Sequence, residues 1–123
     1  NSRSTVMPHF LLILSLIASL LTSGLITGCS RQPEVTVINE SAAPLENLVI
    51  SGTGFSKPLG ALAPGKTVTV GVSPTGDTGL RLEFDAKGAH HAPPADGYFE
   101  ANSGYRVKAT VKPDFSVQVD SRL

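Results

Sequence analysis

The chain predicts an all-β fold, an antiparallel β-sandwich of about seven strands that follows an apolar N-terminal segment. Three observations carry this expectation. From Val35 onward apolar and polar residues alternate, turn-forming residues interrupt the alternation at short and regular intervals, and no later segment of helix length shows a spacing of 3.6. Alternation of that kind puts one face of a strand into a core and the other into water, because successive side chains of an extended backbone point to opposite sides.

The elements follow in chain order. Val35 to Ile38 and Leu45 to Ser51 are rich in β-branched and aliphatic residues and read as strands, although their alternation is imperfect. Val68, Val70 and Val72 share one face of a third strand, with Thr67 and Thr69 on the other. Leu80, Leu82 and Phe84 alternate with Arg81, Glu83 and Asp85 in a fourth, and Tyr98 to Glu100 makes a short fifth. Tyr105, Val107, Ala109 and Val111 alternate with Arg106, Lys108, Thr110 and Lys112, and Phe115, Val117 and Val119 alternate with Ser116, Gln118 and Asp120. Between these runs lie Ala63-Pro64-Gly65-Lys66, Pro74-Thr75-Gly76-Asp77, Ala86-Lys87-Gly88, Ala95-Asp96-Gly97, Asn102-Ser103-Gly104 and Lys112-Pro113-Asp114. Each of these clusters holds residues that favour tight turns.

The first thirty residues are of another kind. Phe10 to Ile26 is a seventeen-residue apolar segment broken only by small or hydroxylated residues, shorter than the roughly 20 apolar residues of a spanning helix. It fits the core of a signal peptide better than a mature membrane anchor. The positive charge that should precede such a core rests on Arg3 and the chain amine, or on the amine of Met7 if translation starts there. Directly after the apolar segment comes Leu25-Ile26-Thr27-Gly28-Cys29, which contains the single cysteine of the chain. This run resembles the lipobox of bacterial lipoproteins.

The resemblance implies that residues 1–28 are a lipoprotein signal peptide, that Cys29 is lipidated, and that residues 29–34 form a short tether to a β-sandwich domain over 35–123. It also implies a sorting role for Ser30, since an aspartate in that position resembles the signal for retention at the inner membrane. The expected location is therefore the bacterial cell envelope, at the inner leaflet of the outer membrane and facing the periplasm. Five extended residues from Ser30 to Glu34 would reach at most about 18 Å. The membrane, reached through the N-terminal lipid, is the first partner this reading supplies.

Removing residues 1–28 from the 123 leaves 95, enough for one small domain with a modest core. After Cys29 the chain carries ten acidic residues and nine of its ten basic ones, scattered rather than clustered. Such a balance has no electrostatic footprint for nucleic acid. With Cys29 committed to lipid, no disulfide is available, so packing must supply the stability.

A looser likeness lies in Val35-Thr36-Val37-Ile38-Asn39-Glu40-Ser41, Leu45-Glu46-Asn47-Leu48-Val49-Ile50 and Leu59-Gly60-Ala61-Leu62-Ala63-Pro64-Gly65-Lys66. Their order resembles the opening half of bacterial immunoglobulin-like modules and implies an immunoglobulin-like or transthyretin-like sandwich. The cysteine pair and strand tryptophan of antibody domains are missing, and such a fold selects no function.

Residues that carry chemistry are few. His90 and His91 are neighbours, so an extended backbone points them to opposite faces and away from a shared metal, even with Asp85, Asp96 or Glu100 at hand. No catalytic set is expected: Ser103 and Asp96 show no spacing that makes them converge on a histidine, and Glu83 and Asp85 sit on the wet side of one strand. Ser51-Gly52-Thr53-Gly54-Phe55 lacks the helix start a phosphate loop needs. It bears comparison with the Ser-Gly-rich loop of lysozyme-inhibitor lipoproteins, without their aromatic and cysteine framework.

The expectation is therefore no enzyme, no cofactor and no metal, but a lipid-anchored binding or structural module with a protein or cell-wall partner. The alternative is a periplasmic inhibitor or immunity lipoprotein. Tyr98 and Phe99, two aromatics at the end of the stiff Pro93-Pro94 connection, are the candidate contact residues.

Overall fold

Two ladders of strands, packed face to face, enclose the apolar residues that the alternation marks. The structure is a computed structural model and describes residues 31–123. The signal peptide expected over 1–28, the lipidation at Cys29 and the sorting residue Ser30 lie outside the described residues. Nine strands follow: β1 (Glu34–Asn39), β2 (Leu45–Gly52), β3 (Phe55–Leu62), β4 (Thr67–Gly71), β5 (Thr78–Ala86), β6 (Ala89–His91), β7 (Asp96–Phe99), β8 (Arg106–Val111) and β9 (Val117–Arg122). The first sheet has the order β4-β1-β8-β9, and the second has β3-β2-β5-β6 with β7 also paired to β5. All-β architecture and a sandwich are thus what the alternation leads one to expect.

The strand count and one pairing differ from that expectation. β1 and β8 run parallel, with Val35 opposite Val107 and Val37 opposite Ala109, whereas every other ladder is antiparallel. The two strands beyond the expected seven are β3 and β6. β3 contains Pro58 and Gly60 and leaves most of its residues exposed, which an edge strand tolerates and a central one does not. β6 is only three residues long and hangs on a two-residue turn, in which Lys87 (φ 50°) and Gly88 (φ 73°) both adopt left-handed backbone. That turn matches the right-handed twist of the flanking strands, and glycine accepts it at no steric cost.

The core takes Val35 and Val37 from β1, Leu45, Leu48 and Ile50 from β2, Leu80, Leu82 and Phe84 from β5, Phe99 from β7, and Val107, Ala109 and Val111 from β8. Leu45 and Leu48 both point inward although they are three residues apart. An extra residue in β2 between them shifts the register against β3, and Asn47 absorbs the bend at φ 49°. One buried polar side chain joins the two sheets. Asn39, at the end of β1, donates from Nδ2 to the carbonyls of Ala43 (2.9 Å) and Leu62 (3.0 Å), and its Oδ1 accepts from the backbone N–H (3.0 Å) and hydroxyl (2.6 Å) of Ser41. Its amide is fully used, which is what makes a buried asparagine tolerable.

The expected tether is shorter than its sequence suggests. Arg31 accepts the Gly104 N–H at its carbonyl (3.0 Å), Gln32 Nε2 donates to Ser73 Oγ (2.9 Å), the Pro33 carbonyl accepts from Val72 (3.0 Å), and the Glu34 N–H donates to Tyr105 (3.0 Å). Pro33 is buried. Residues 31–34 therefore belong to the folded domain, because both neighbours of β1 offer backbone partners beyond its first residue.

Candidate functional site

β7 closes one open side of the sandwich. It pairs with the first half of β5 through Thr78 opposite Phe99 and Leu80 opposite Asp96, and the Tyr98 N–H reaches across to Ser121 Oγ on β9 (3.2 Å). This crossing needs Gly97: its φ is 74°, and a Cβ there would lie 2.7 Å from Val119 Cγ1. The two candidate contact residues then part company. Phe99 points inward, is fully buried and packs its ring 6.2 Å from that of Phe55, so it is a core residue with no surface to offer a partner. Tyr98 points outward and is 48% exposed.

Tyr98 is held rather than free. Its ring meets Tyr105 edge-on at 6.4 Å and 86°, and its hydroxyl donates to Glu100 Oε1 at 3.0 Å. That hydrogen bond, with smaller contributions from desolvation and from the charges of Asp77 and Glu100, pushes the phenol up to about 12. The side chain stays neutral at any physiological pH, presenting an apolar ring with a polar tip.

A second polar cluster lies at the β5–β6 hairpin. His90 Nδ1 sits 2.8 Å from Asp85 Oδ1 and His90 Nε2 lies 3.5 Å from Glu83 Oε2, while Asn47 Nδ2 donates to Asp85 Oδ2 at 3.0 Å. The hydrogen bond from Asn47, then that from His90, holds the Asp85 carboxyl below its ordinary range, and Asp85 raises His90 in return. His91 faces the other way, stacked at 5.1 Å on Phe84 and 4.9 Å from Phe115, where it covers one end of the core. The histidines are on opposite faces, as adjacency on a strand requires.

Among the described residues no group of three histidine, cysteine or acidic side chains is placed to hold a metal ion. Asp96 sits in the β5–β7 ladder, and Ser103 donates to the Glu100 carbonyl (2.7 Å) within a turn, so neither approaches His90. The Ser51 to Phe55 segment is a tight hairpin turn rather than a projecting loop. Thr53 donates its N–H to Thr78 Oγ1 (2.8 Å) and accepts from Thr75 at its carbonyl (3.1 Å), and a Cβ on Gly52 would lie 2.5 Å from the half-buried Phe55 ring.

One feature escaped the sequence reading. Glu34, Arg106 and Arg122 stand side by side across β1, β8 and β9, with Thr36, Lys108 and Asp120 in the next row. Alternation alone puts these side chains on wet faces; the β8–β9 hairpin sets Arg106 against Arg122 and Lys108 against Asp120, and the parallel pairing of β1 with β8 adds Glu34 and Thr36. All of them but Glu34 line a shallow depression on the outside of the first sheet.

No family model matches the chain, and no curated protein does. Among solved structures it is similar to an NMR structure of a protein from Eubacterium rectale, at 13% sequence identity and a TM-score of 0.53, over 73% of this chain and 87% of that one. Identity that low supports a shared fold and nothing about activity.

Proposed function

We propose that this protein is a lipoprotein of the bacterial envelope, anchored through Cys29, whose β-sandwich serves as a small binding or structural module for a protein or cell-wall partner. The observation that carries the reading is the Leu25-Ile26-Thr27-Gly28-Cys29 run at the end of the apolar segment. The fold is consistent with it: the folded domain starts at Arg31, so a lipid on Cys29 would hold the module against its membrane with only Ser30 between. Several acyl chains, each contributing roughly 0.8 kcal/mol per buried methylene, make such an anchor effectively permanent. Ser30 favours the outer membrane, facing the periplasm, in a Gram-negative cell. An immunoglobulin-like or transthyretin-like sandwich fits the order of its first strands.

Metabolic labelling with a fatty acid tests the anchor. Label is expected in the wild-type chain and none in Cys29→Ser, because a hydroxyl does not replace the thiolate as nucleophile. Equal labelling of the two overturns the assignment and the location with it.

A further inference from the structure

β5 runs nine residues from Thr78 to Ala86, and at about 3.3 Å per residue it separates the two ends of the sandwich by roughly 26 Å. The chain enters at one of them. Arg31 is bonded to Gly104 and Pro33 to Val72, at the end where β1 and β8 begin and β4 and β9 finish. Only Ser30 lies between Arg31 and Cys29, so the Cα of Cys29 is within about 7 Å of that of Arg31 in any conformation.

This same end carries both large apolar side chains that are exposed among the described residues, Tyr98 at 48% and Leu123 at 81%. Tyr98 leans on Tyr105, the residue before β8, and Leu123 follows the last strand. Three arginines stand at this end as well, while the acidic Asp77 and Glu100 are the charged groups beside Tyr98. Arg106 and Arg122 stand directly opposite each other across β8 and β9, an arrangement that like charges disfavour. Glu34 engages Arg106 at 3.2 Å, and among the described residues no ion pair holds Arg122 or the exposed Arg31.

We infer that this end of the domain lies against the phospholipid surface, with Arg31, Arg106 and Arg122 on headgroup phosphodiesters and Tyr98 and Leu123 in the interfacial layer. The inference rests on the lipoprotein reading and names what the Tyr98 surface meets. A guanidinium presents paired donors that match phosphate oxygens, and a bridging anion turns the Arg106–Arg122 repulsion into an attraction. A neutral tyrosine with an apolar body and a hydrogen-bonding tip suits the boundary between headgroups and chains. Tyr98 is thereby withdrawn from any protein partner, and the far end around Lys87 and His90 faces the periplasm.

The test uses the full chain produced in a bacterium and extracted from its membranes. Its mass reports whether Cys29 carries lipid. The protein is then placed in vesicles of phosphatidylethanolamine and phosphatidylglycerol that include a nitroxide-headgroup lipid, and amide broadening is read by NMR. Strong broadening is expected at Tyr98, Gly104 and Arg122 and none at Gly88 and His90. The doubly changed Tyr98→Ser, Arg122→Glu chain should lose most of the broadening at Tyr98 and Arg122, with a melting temperature within a few degrees of the wild type showing that the fold persists. A lipidated protein broadened evenly, or chiefly at Gly88, overturns the docking alone, and so does broadening that survives both changes. A protein without lipid mass overturns the anchor, and the docking falls with it.

Discussion

The two sheets are built to different standards. In the first, the ladders β1–β4, β1–β8 and β8–β9 keep one register from end to end. In the second, the register shifts twice between β2 and β3, once between β2 and β5 and once between β5 and β7. An unbroken ladder turns strict alternation into a flat division of inside and outside, as in β8, where Arg106 and Lys108 are exposed while Val107 and Ala109 are buried. A shifted ladder re-aims individual side chains. The shift between Glu46 and Val49 accompanies Asn47 in left-handed backbone with its amide on Asp85, and the irregular pairing of β7 leaves Phe99 inside and Tyr98 outside at an edge. Regularity supplies the frame, and the departures from it position polar and aromatic groups.

If the sheets share one core despite this difference, a charge buried in either should abolish the fold. Leu82→Asp in β5 and Val37→Asp in β1 each place a carboxylate where exposure is at most 1%. Either change should unfold a domain whose whole stability is about 5 to 15 kcal/mol, with loss of the β-type circular dichroism spectrum. Glu83→Ala, on the wet face beside Leu82, should leave the melt nearly unchanged. Equal melting of Leu82→Asp and Glu83→Ala would reverse the two faces of β5.

The next effect lies within β7. Phe99→Ala should destabilise by about 3 to 5 kcal/mol in urea titration, by removing a large buried ring. Tyr98→Ala should cost about 0.5 kcal/mol. Similar losses for the two would show that the edge aromatic is as much a part of the core as its neighbour.

The smallest effect concerns His90 and Asp85, which are exposed and form a surface pair. His90 is raised above its ordinary 6.5, chiefly by its hydrogen bond to Asp85, so its contribution is full below pH 6.5 and is lost as pH rises through the raised value. Asp85 is lowered below 3.8, chiefly by Asn47, so its contribution is full above pH 3.8 and is lost as pH falls through the lowered value. The gap in denaturation midpoint between wild type and His90→Ala should therefore be widest between pH 3.8 and 6.5 and narrow on both sides. A gap independent of pH would remove the ion pair from the account of this hairpin.

The same contrast explains which elements were legible beforehand. Strands β4, β5, β8 and β9 alternate cleanly, and each is present with the faces expected except at Thr110 of β8, which is buried, and at Phe115, which lies in the turn before β9; Val117 and Val119 of β9 are half-buried while Gln118 and Asp120 are exposed. β3 stayed hidden because Pro58 and Gly60 read as loop, and its tolerance for them comes from lying at an edge, which is a property of the sheet and not of the segment. β6 stayed hidden because Ala89-His90-His91 has little strand character and is held by pairing with β5 alone. Opposite directions for Tyr98 and Phe99 follow from strand geometry, but which of them enters the core depends on the Gly97 crossing beneath β9. The Arg106–Arg122 pairing and the docking of residues 31–34 depend on strand order, which alternation does not encode.

The parallel pairing of β1 with β8 has a temporal consequence. Glu34 and Arg106 are 72 residues apart in sequence, yet β1 occupies an interior place in its sheet and needs β8 to fill one side. As the polypeptide emerges from the ribosome, β1 comes first and waits for almost the whole remaining chain before that side can be covered. Closing so large a loop precedes any reward from the contacts it makes, which slows folding. The first sheet is therefore completed only after every strand of the second has left the ribosome.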